Sequence, residues 1–450
     1  MPAAPAASVA SVASAGNADP AADYGTPRYV YDLDDVTAAR DSLLAVLPEE
    51  FDVFYAVKAN PHPDVAGALR TGAPERIRAE ISSVGELSAA LAAGYAADRC
   101  LYTGPGKTDG ELDDAIGRGV RLFSVESPSD LRHVGAAAVR HGVTVECLLR
   151  INTTESGAST GVRMMGKPSQ FGLDAETLPA LMPELTRVPG ARVVGAHFFT
   201  MSNARDEDGL LDEYGRVVEL AARLSADHGL PLEFLDIGGG FASPYAVPGE
   251  RAEYPKLRAG LERLLDLHLP RWRTGTPHLS CESGRYLVGG CGALVSQVVN
   301  VKESRGRGFV ILDAGINAVG GLSGLGRLLP MAAEVADGAA TGKASLVGPL
   351  CTPGDTLGRD VPLPDLAAGD TVTIPNVGAY GVTASLLGFL GRPAPVEVAV
   401  RDGRVVSATR LELHRTAVAA GTAGAAGTAE TAGSPGEPVS GPAEAGPARP

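Results

Sequence analysis

Between residues 51 and 282 eight short runs rich in β-branched and aromatic residues alternate with longer stretches of helical character, and this alternation restricts the fold more than any other feature of the chain. The strand-like runs fall near 51–58, 77–82, 100–103, 121–125, 145–150, 192–198, 233–237 and 277–282. Helix-like stretches near 64–71, 85–94, 109–118, 128–141, 175–186, 208–229 and 253–268 lie between them, several opened by Asp, Ser or Pro. Strand-helix alternation means parallel strands. Eight of them fit a closed (β/α)₈ barrel, whose chemistry sits at the carboxyl ends of the strands. A doubly wound open sheet is the rival arrangement.

Beyond Glu282 the pattern changes to β-branched runs at Ala293–Val301, Phe309–Leu312, Thr371–Ile374, Val396–Val400 and Val405–Leu413, divided by Gly and Pro. This reads as a second, mostly antiparallel β domain. The early run Arg28–Asp32, followed by a helix from Asp34 to Leu47, is placed with it. The expected division is a tail over 1–23, a segment over 24–47 contributing to the β domain, the barrel over 48–283, the β domain over 284–415 and a second tail over 416–450. Both tails are poor in large apolar residues and are expected to be disordered. No internal repeat of solenoid period occurs.

A net charge of −14, without basic runs, argues against nucleic acid as a partner. The five cysteines are scattered, with no metal-site or disulfide spacing, which suggests a reducing cytoplasm. No metal site is expected. The first residues lack the features of a secretory signal, and no stretch has membrane-spanning length, so no membrane association is expected.

The barrel places several chemical groups just after strand ends. Lys58 closes Phe51-Asp52-Val53-Phe54-Tyr55-Ala56-Val57-Lys58, in which Phe51, Val53, Tyr55 and Val57 alternate with Phe54 and Ala56. Burial there favours the neutral amine, which attacks carbonyls, although a lysine that snorkels to water is the plainer reading. His197 ends the sixth strand and can lie flat against a ring or be an ordinary core histidine. After the seventh comes Gly238-Gly239-Gly240, whose backbone can approach an anion or merely turn. After the eighth, Glu282 can face a ring nitrogen and Arg285 a phosphate, or the two can pair with each other. In the β domain, Cys351 in Gly348-Pro349-Leu350-Cys351-Thr352-Pro353-Gly354-Asp355 is a proton donor, a nucleophile or a structural thiol. Tyr380 in Gly378-Ala379-Tyr380-Gly381 either reaches a phosphate or packs on a turn.

Together, from Thr26 to His414, these segments resemble the fold-type III pyridoxal-phosphate decarboxylases, the group containing diaminopimelate, ornithine and arginine decarboxylases. The resemblance implies an alanine-racemase-like barrel with a β domain, and pyridoxal 5′-phosphate as cofactor. It also implies that Lys58 forms the Schiff base and that His197 stacks on the cofactor ring. Gly238, Gly239, Gly240, Arg285 and Tyr380 would hold the phosphate, and Glu282 would pair with the pyridinium nitrogen. Cys351, from the second subunit of a homodimer, would return the proton at Cα, with Asp355 nearby at the substrate end.

The chain departs from the free-diamine members at two positions: Thr352 stands where an acidic residue commonly follows the cysteine, and Glu80 replaces the usual Asp of the second strand. His197 is also followed by Phe198-Phe199-Thr200 in place of small residues. The segments Gly161-Val162-Arg163-Met164-Met165-Gly166, Gln170-Phe171-Gly172-Leu173-Asp174, Cys351-Thr352-Pro353 and Gly378–Ser385 resemble a subgroup working in secondary metabolism, the butirosin-type decarboxylases of carrier-tethered amino acids. An acidic acyl carrier protein would need a local basic patch here, with Arg163, Lys167 and Arg205 as candidates and Arg163 also as a substrate ligand. The expected activity is thus decarboxylation of an α-amino acid or its conjugate. A free diamino acid (diaminopimelate, ornithine or lysine) is the alternative substrate. An amino-acid racemase, or an inactive regulatory protein of the same fold, is the alternative function.

Overall fold

A computed structural model describes residues 19–153, 162–163 (backbone only), 169–320, 332–336 and 338–418. Most of both expected tails, and Lys167, lie outside these residues. Order begins earlier than the composition suggests: Ala22–Tyr24 form a 3₁₀ turn, Ala21 is buried, and Asp19 pairs with Arg28.

Eight strands, Phe51–Ala56, Ile77–Ile81, Cys100–Tyr102, Leu122–Val125, Val145–Asn152, Ala191–His197, Phe234–Asp236 and His278–Ser283, pair in parallel in chain order. The eighth pairs with the first from Leu279↔Phe51 to Ser283↔Tyr55, so the barrel is closed and the open-sheet rival is excluded. The helices between them start where the chain supplies a cap. Ser83, Thr108, Ser127 and Asp206 each accept, through the side chain, the backbone N–H three residues ahead. After the longest helix, Glu207–His228, Gly229 turns the chain at φ +70°.

Strand periodicity divides the side chains between two cores. Phe51, Val53 and Tyr55 point out to the helices and join the main core, whereas Phe54, Leu101, Leu122, Leu148, Val194 and Phe234 make a separate cluster. Arg78 lies over the rings of Phe54 and Phe234, at 5.7 and 5.9 Å, and Asp52 holds both Arg78 (2.6 Å) and His278 (3.0 Å). All eight strands thus contribute to a plug near their amino ends, and the polar groups that remain lie at the carboxyl ends.

The β domain is built on Arg28–Asp32, which runs antiparallel to Gly292–Ser304 and parallel to Val396–Arg401. Its other strands are Arg307–Leu312, Gly342–Val347, Thr356–Leu363, Thr371–Ile374 and Arg404–Arg410. The strands at 342–347 and 356–363 escape the sequence reading because Gly, Lys, Asp and Pro interrupt their apolar alternation. Two hydrogen bonds tie the domain to the barrel mouth: Tyr380 N–H donates to Ala59 O at 2.7 Å, and the Asn60 side-chain Nδ2 donates to Gly378 O at 2.8 Å. No helix among the described residues is long and apolar enough to cross a membrane.

Candidate active site

The first barrel strand stops at Ala56, two residues before the sequence pattern suggests, and Lys58 sits in the 3₁₀ turn Val57–Ala59 that follows. Its ammonium contacts both oxygens of Glu80, at 3.0 and 2.9 Å, and Thr103 donates to Glu80 Oε1 at 2.5 Å. The side chain is 43 % exposed, but into a cleft whose walls enclose the amine. Burial lowers the Lys58 pKa, yet Glu80 and then Glu282 outweigh it and raise the amine above its ordinary value. The expectation of a lysine neutralised by apolar burial is therefore corrected: a buried carboxylate keeps it charged.

Behind the lysine stands a buried polar cluster. His197 Nδ1 lies 2.7 Å from Ser124 Oγ, and its Nε2 is 3.0 Å from Glu282 Oε1. Those two atoms lack hydrogen-bond alignment and have no other partner. Burial works against the imidazolium, but Glu282 outweighs it and lifts the His197 pKa. Burial likewise works against the Glu282 carboxylate, and His197 holds its pKa below the ordinary value. Asp236 accepts from Gly238 N–H at 2.8 Å and from Ser280 Oγ at 2.9 Å. Burial, and then the negative Glu282, push its pKa up to about 7. Ligand atoms of His197, Asp236 and Glu282 all lie within 4.8 Å of one another, near enough for a metal ion, but both Asp236 oxygens already accept hydrogen bonds.

Folded, Asp236 keeps its proton to about pH 7; unfolded, it loses it near the ordinary carboxylate value of about 4. Its contribution to stability is complete in acid and is lost as pH climbs through 7. His197, with a raised pKa, adds a loss of the same sign. Asp236→Asn keeps an acceptor for Gly238 and a partner for Ser280, so thermal melts of this variant should fall less than wild type between pH 5 and pH 8. Parallel curves would refute the assignment.

At the end of the seventh strand the triple glycine makes a tight turn. Gly238 has φ +78°, and a Cβ there would stand 2.2 Å from Phe198 O. Its N–H already serves Asp236, so of the three glycines expected to hold a phosphate, Gly239 and Gly240 are the two whose N–H groups meet no partner among the described residues. We expect Gly238→Ala to cost roughly 3–4 kcal/mol in a denaturant titration, the sum of a left-handed Cβ penalty and a backbone clash. Gly229→Ala, at φ +70° with nothing within 4 Å, should cost only about 1 kcal/mol. Equal costs would show that the turn tolerates a side chain.

Facing this turn, Arg285 is bracketed by the rings of Tyr380 and Tyr245, at 4.9 and 5.5 Å, and pairs with no carboxylate among the described residues. The Glu282–Arg285 pair considered above is absent. Tyr380 adopts φ +55°, fixed by the Ala59 bond and by Tyr245 Oη, which donates to Tyr380 O at 3.2 Å. One cleft is thus lined by Lys58, Phe199, Ser202, Gly239, Gly240, Glu282, Arg285 and Tyr380.

Four expected site residues with described side chains do not line this cleft: Gly238, His197, which lies against Glu282 behind it, Cys351 and Asp355. Cys351 is exposed, on a loop that does not line it. Asp355 is buried with both oxygens engaged, accepting from Ile316 N–H at 2.8 Å and Leu350 N–H at 2.7 Å. This corrects the substrate-end expectation for Asp355, whose carboxylate shapes the Cys351 loop. Arg163 lies on Val162–Arg163, paired with Met201–Ser202 in the register Met201↔Arg163, which sets its backbone beside the cleft wall.

The residues present fit pyridoxal phosphate. Glu282 Oε1 and Ser283 Oγ are buried cleft atoms without hydrogen-bond partners. Two unpartnered backbone N–H groups and an unpaired guanidinium suit a phosphate, and Lys58 suits an aldehyde. The sequence reading missed Ser124, Asp236 and Tyr245. Only the position of Asp236, two residues before the glycines, marked any of them.

A family model for the pyridoxal-dependent decarboxylases, their pyridoxal binding domain, matches residues 33–289. The L-glutamyl-[BtrI acyl-carrier protein] decarboxylase of Niallia circulans is 31 % identical, over 84 % of this chain and 90 % of that protein. The diaminopimelate decarboxylase of Methanothermobacter thermautotrophicus is 32 % identical, over 86 % and 89 % of the two chains. Among solved structures, diaminopimelate decarboxylase from Helicobacter pylori complexed with L-lysine superposes with a TM-score of 0.72 at 28 % identity, covering 84 % of this chain and 93 % of that one.

Proposed function

The chain belongs to the pyridoxal-dependent decarboxylase family, and from that premise we propose that it removes the α-carboxylate of an amino acid presented on a carrier protein, in secondary metabolism. It is a pyridoxal-phosphate-dependent carboxy-lyase. The observation that carries the assignment of roles is the meeting, in one cleft, of the Lys58 amine, the Glu282 carboxylate and the Gly239–Gly240–Arg285–Tyr380 set.

The bound cofactor supplies an electron sink conjugated to Cα for the pair left by departing CO₂. The protein's share is orientation and proton control. Glu80, braced by Thr103, holds the Lys58 Nζ in place at the cleft. Glu282 holds negative charge where a ring nitrogen must keep its proton, and His197, anchored by Ser124, supports it from behind. Gly239 and Gly240 N–H groups, Arg285 and Tyr380 Oη fix the phosphate end. Cys351 Sγ, brought from a second copy of the chain, delivers the proton to Cα.

Thr352 supports the conjugated substrate. It cannot neutralise a distal ammonium as the acidic residue of the free-diamine members can, and the Niallia circulans relative acts on a carrier-bound glutamyl group. A cytoplasmic setting agrees with five unpaired cysteines.

The test is to offer the purified protein free amino acids beside carrier-loaded aspartate and glutamate and to read product mass. We expect the loaded carriers to lose CO₂. Turnover of free lysine, ornithine or diaminopimelate at roughly 1 s⁻¹ or faster would overturn the preference for a conjugate and leave the decarboxylase assignment standing.

A further inference from the structure

A groove in the β domain, between residues 387–394 and 410–415, is lined by Arg392, Arg410 and Arg415 together with the apolar side chains of Leu387, Leu411 and Leu413. Its single carboxylate, Glu412, pairs with His414 at 3.0 Å. None of the three arginines pairs with a carboxylate among the described residues. Among the described residues the groove thus gathers three arginines against one carboxylate, on a chain of net charge −14. Its apolar lining is exposed as well: Leu413 is 71 % exposed, and the neighbouring Phe389 and Leu390 are 43 % and 53 % exposed.

The groove is built into the segment that carries Cys351. Arg392 Nη2 donates to Pro349 O at 3.4 Å, two residues before the cysteine. Leu386 N–H donates to Ile316 O at 3.1 Å, and Ile316 N–H is held by Asp355 at 2.8 Å. A body seated in the groove thus lies beside the Cys351 loop, the part of the β domain assigned above to the substrate.

We propose that this groove receives an acidic, amphipathic surface of the carrier protein, with the arginines meeting its carboxylates and the leucines its apolar stripe, so that the tethered amino acid is offered next to the Cys351 loop. The proposal rests on the carrier-tethered reading of the substrate. Charge complementarity of this kind acts on encounter and is weakened by salt. It assigns to Arg392, Arg410 and Arg415 the role that the sequence suggested for Arg163, Lys167 and Arg205.

The test compares wild type with Arg410→Glu/Arg415→Glu, two changes outside the Lys58 cleft. The substrates are a glutamyl acyl-carrier protein and the same glutamyl group on pantetheine alone. We expect KM for the carrier-bound substrate to rise about tenfold, with kcat retained and both constants for the pantetheine substrate unchanged. Added salt should raise the carrier KM of wild type and affect the variant much less. An unchanged carrier KM in the variant overturns the groove assignment while leaving the substrate reading intact. Loss of the wild-type oligomeric state on size-exclusion chromatography also overturns it, by making the groove a subunit interface. If wild type ignores the carrier-bound group and decarboxylates a free diamino acid, the substrate reading falls and the groove proposal with it.

Discussion

Lys58→Ala should lower CO₂ release by roughly 10⁴-fold, a loss of the size seen when a covalent nucleophile is removed from a working constellation. The cofactor-loaded variant should also lose the visible absorption that depends on attachment to the amine. The reason is positional: among the described residues, Lys58 is the one lysine lining the cleft that holds Gly239, Gly240, Arg285 and Glu282. The fold should survive, because the side chain is 43 % exposed and Glu80 keeps its bond from Thr103. Lys58→Arg separates the two roles of the ammonium. It preserves a cation for Glu80 but cannot attack a carbonyl, so it should be as inactive as the alanine variant. Glu80→Gln should be milder, at roughly 10²-fold, with a distinct signature. Glu80 is the foremost of the groups raising the Lys58 pKa, so its neutralisation should move the lysine-dependent limb of the pH–rate profile to lower pH. Retention of both absorbance and CO₂ release by Lys58→Ala would defeat the assignment.

The barrel was legible because parallel strands buried on both faces leave a strong periodic record, and all eight strands fall where the apolar runs predict. That Lys58, His197, Glu282 and Arg285 would sit at the carboxyl end of the barrel was legible because barrels put polar chemistry there, a rule of position in the chain. The environment of each group could not be read in the same way. Whether Lys58 is charged depends on Glu80 and Glu282, which other strands deliver. Nothing near residue 58 encodes them. The same holds for Asp355: its sequence neighbourhood suggested a substrate ligand, and its function in the fold comes from Ile316, 39 residues away. Gly238 shows a finer limit. Three consecutive glycines imply three available N–H groups, but the first is taken by Asp236 from two residues back.

Mixing a Lys58→Ala variant with a Cys351→Ala variant should restore activity that neither shows alone. Cys351 is exposed on a loop outside the cleft of its own chain, and Asp355 fixes that loop through two backbone bonds. On the role proposed for Cys351, its thiol meets Cα in a second copy, and each site is then a composite of Lys58 from one chain and Cys351 from the other. In a two-fold dimer the contact is reciprocal, so a hybrid carries one site with both defects and one with neither. Random exchange yields half hybrids, and the mixture should reach about a quarter of wild-type CO₂ release. Product analysis sharpens the test. Cys351→Ala alone should release less amine than wild type, because the proposed proton donor at Cα is gone. The mixture should recover amine release. If subunit exchange is demonstrated and the mixture stays as inactive as its components, Cys351 does not act across the dimer.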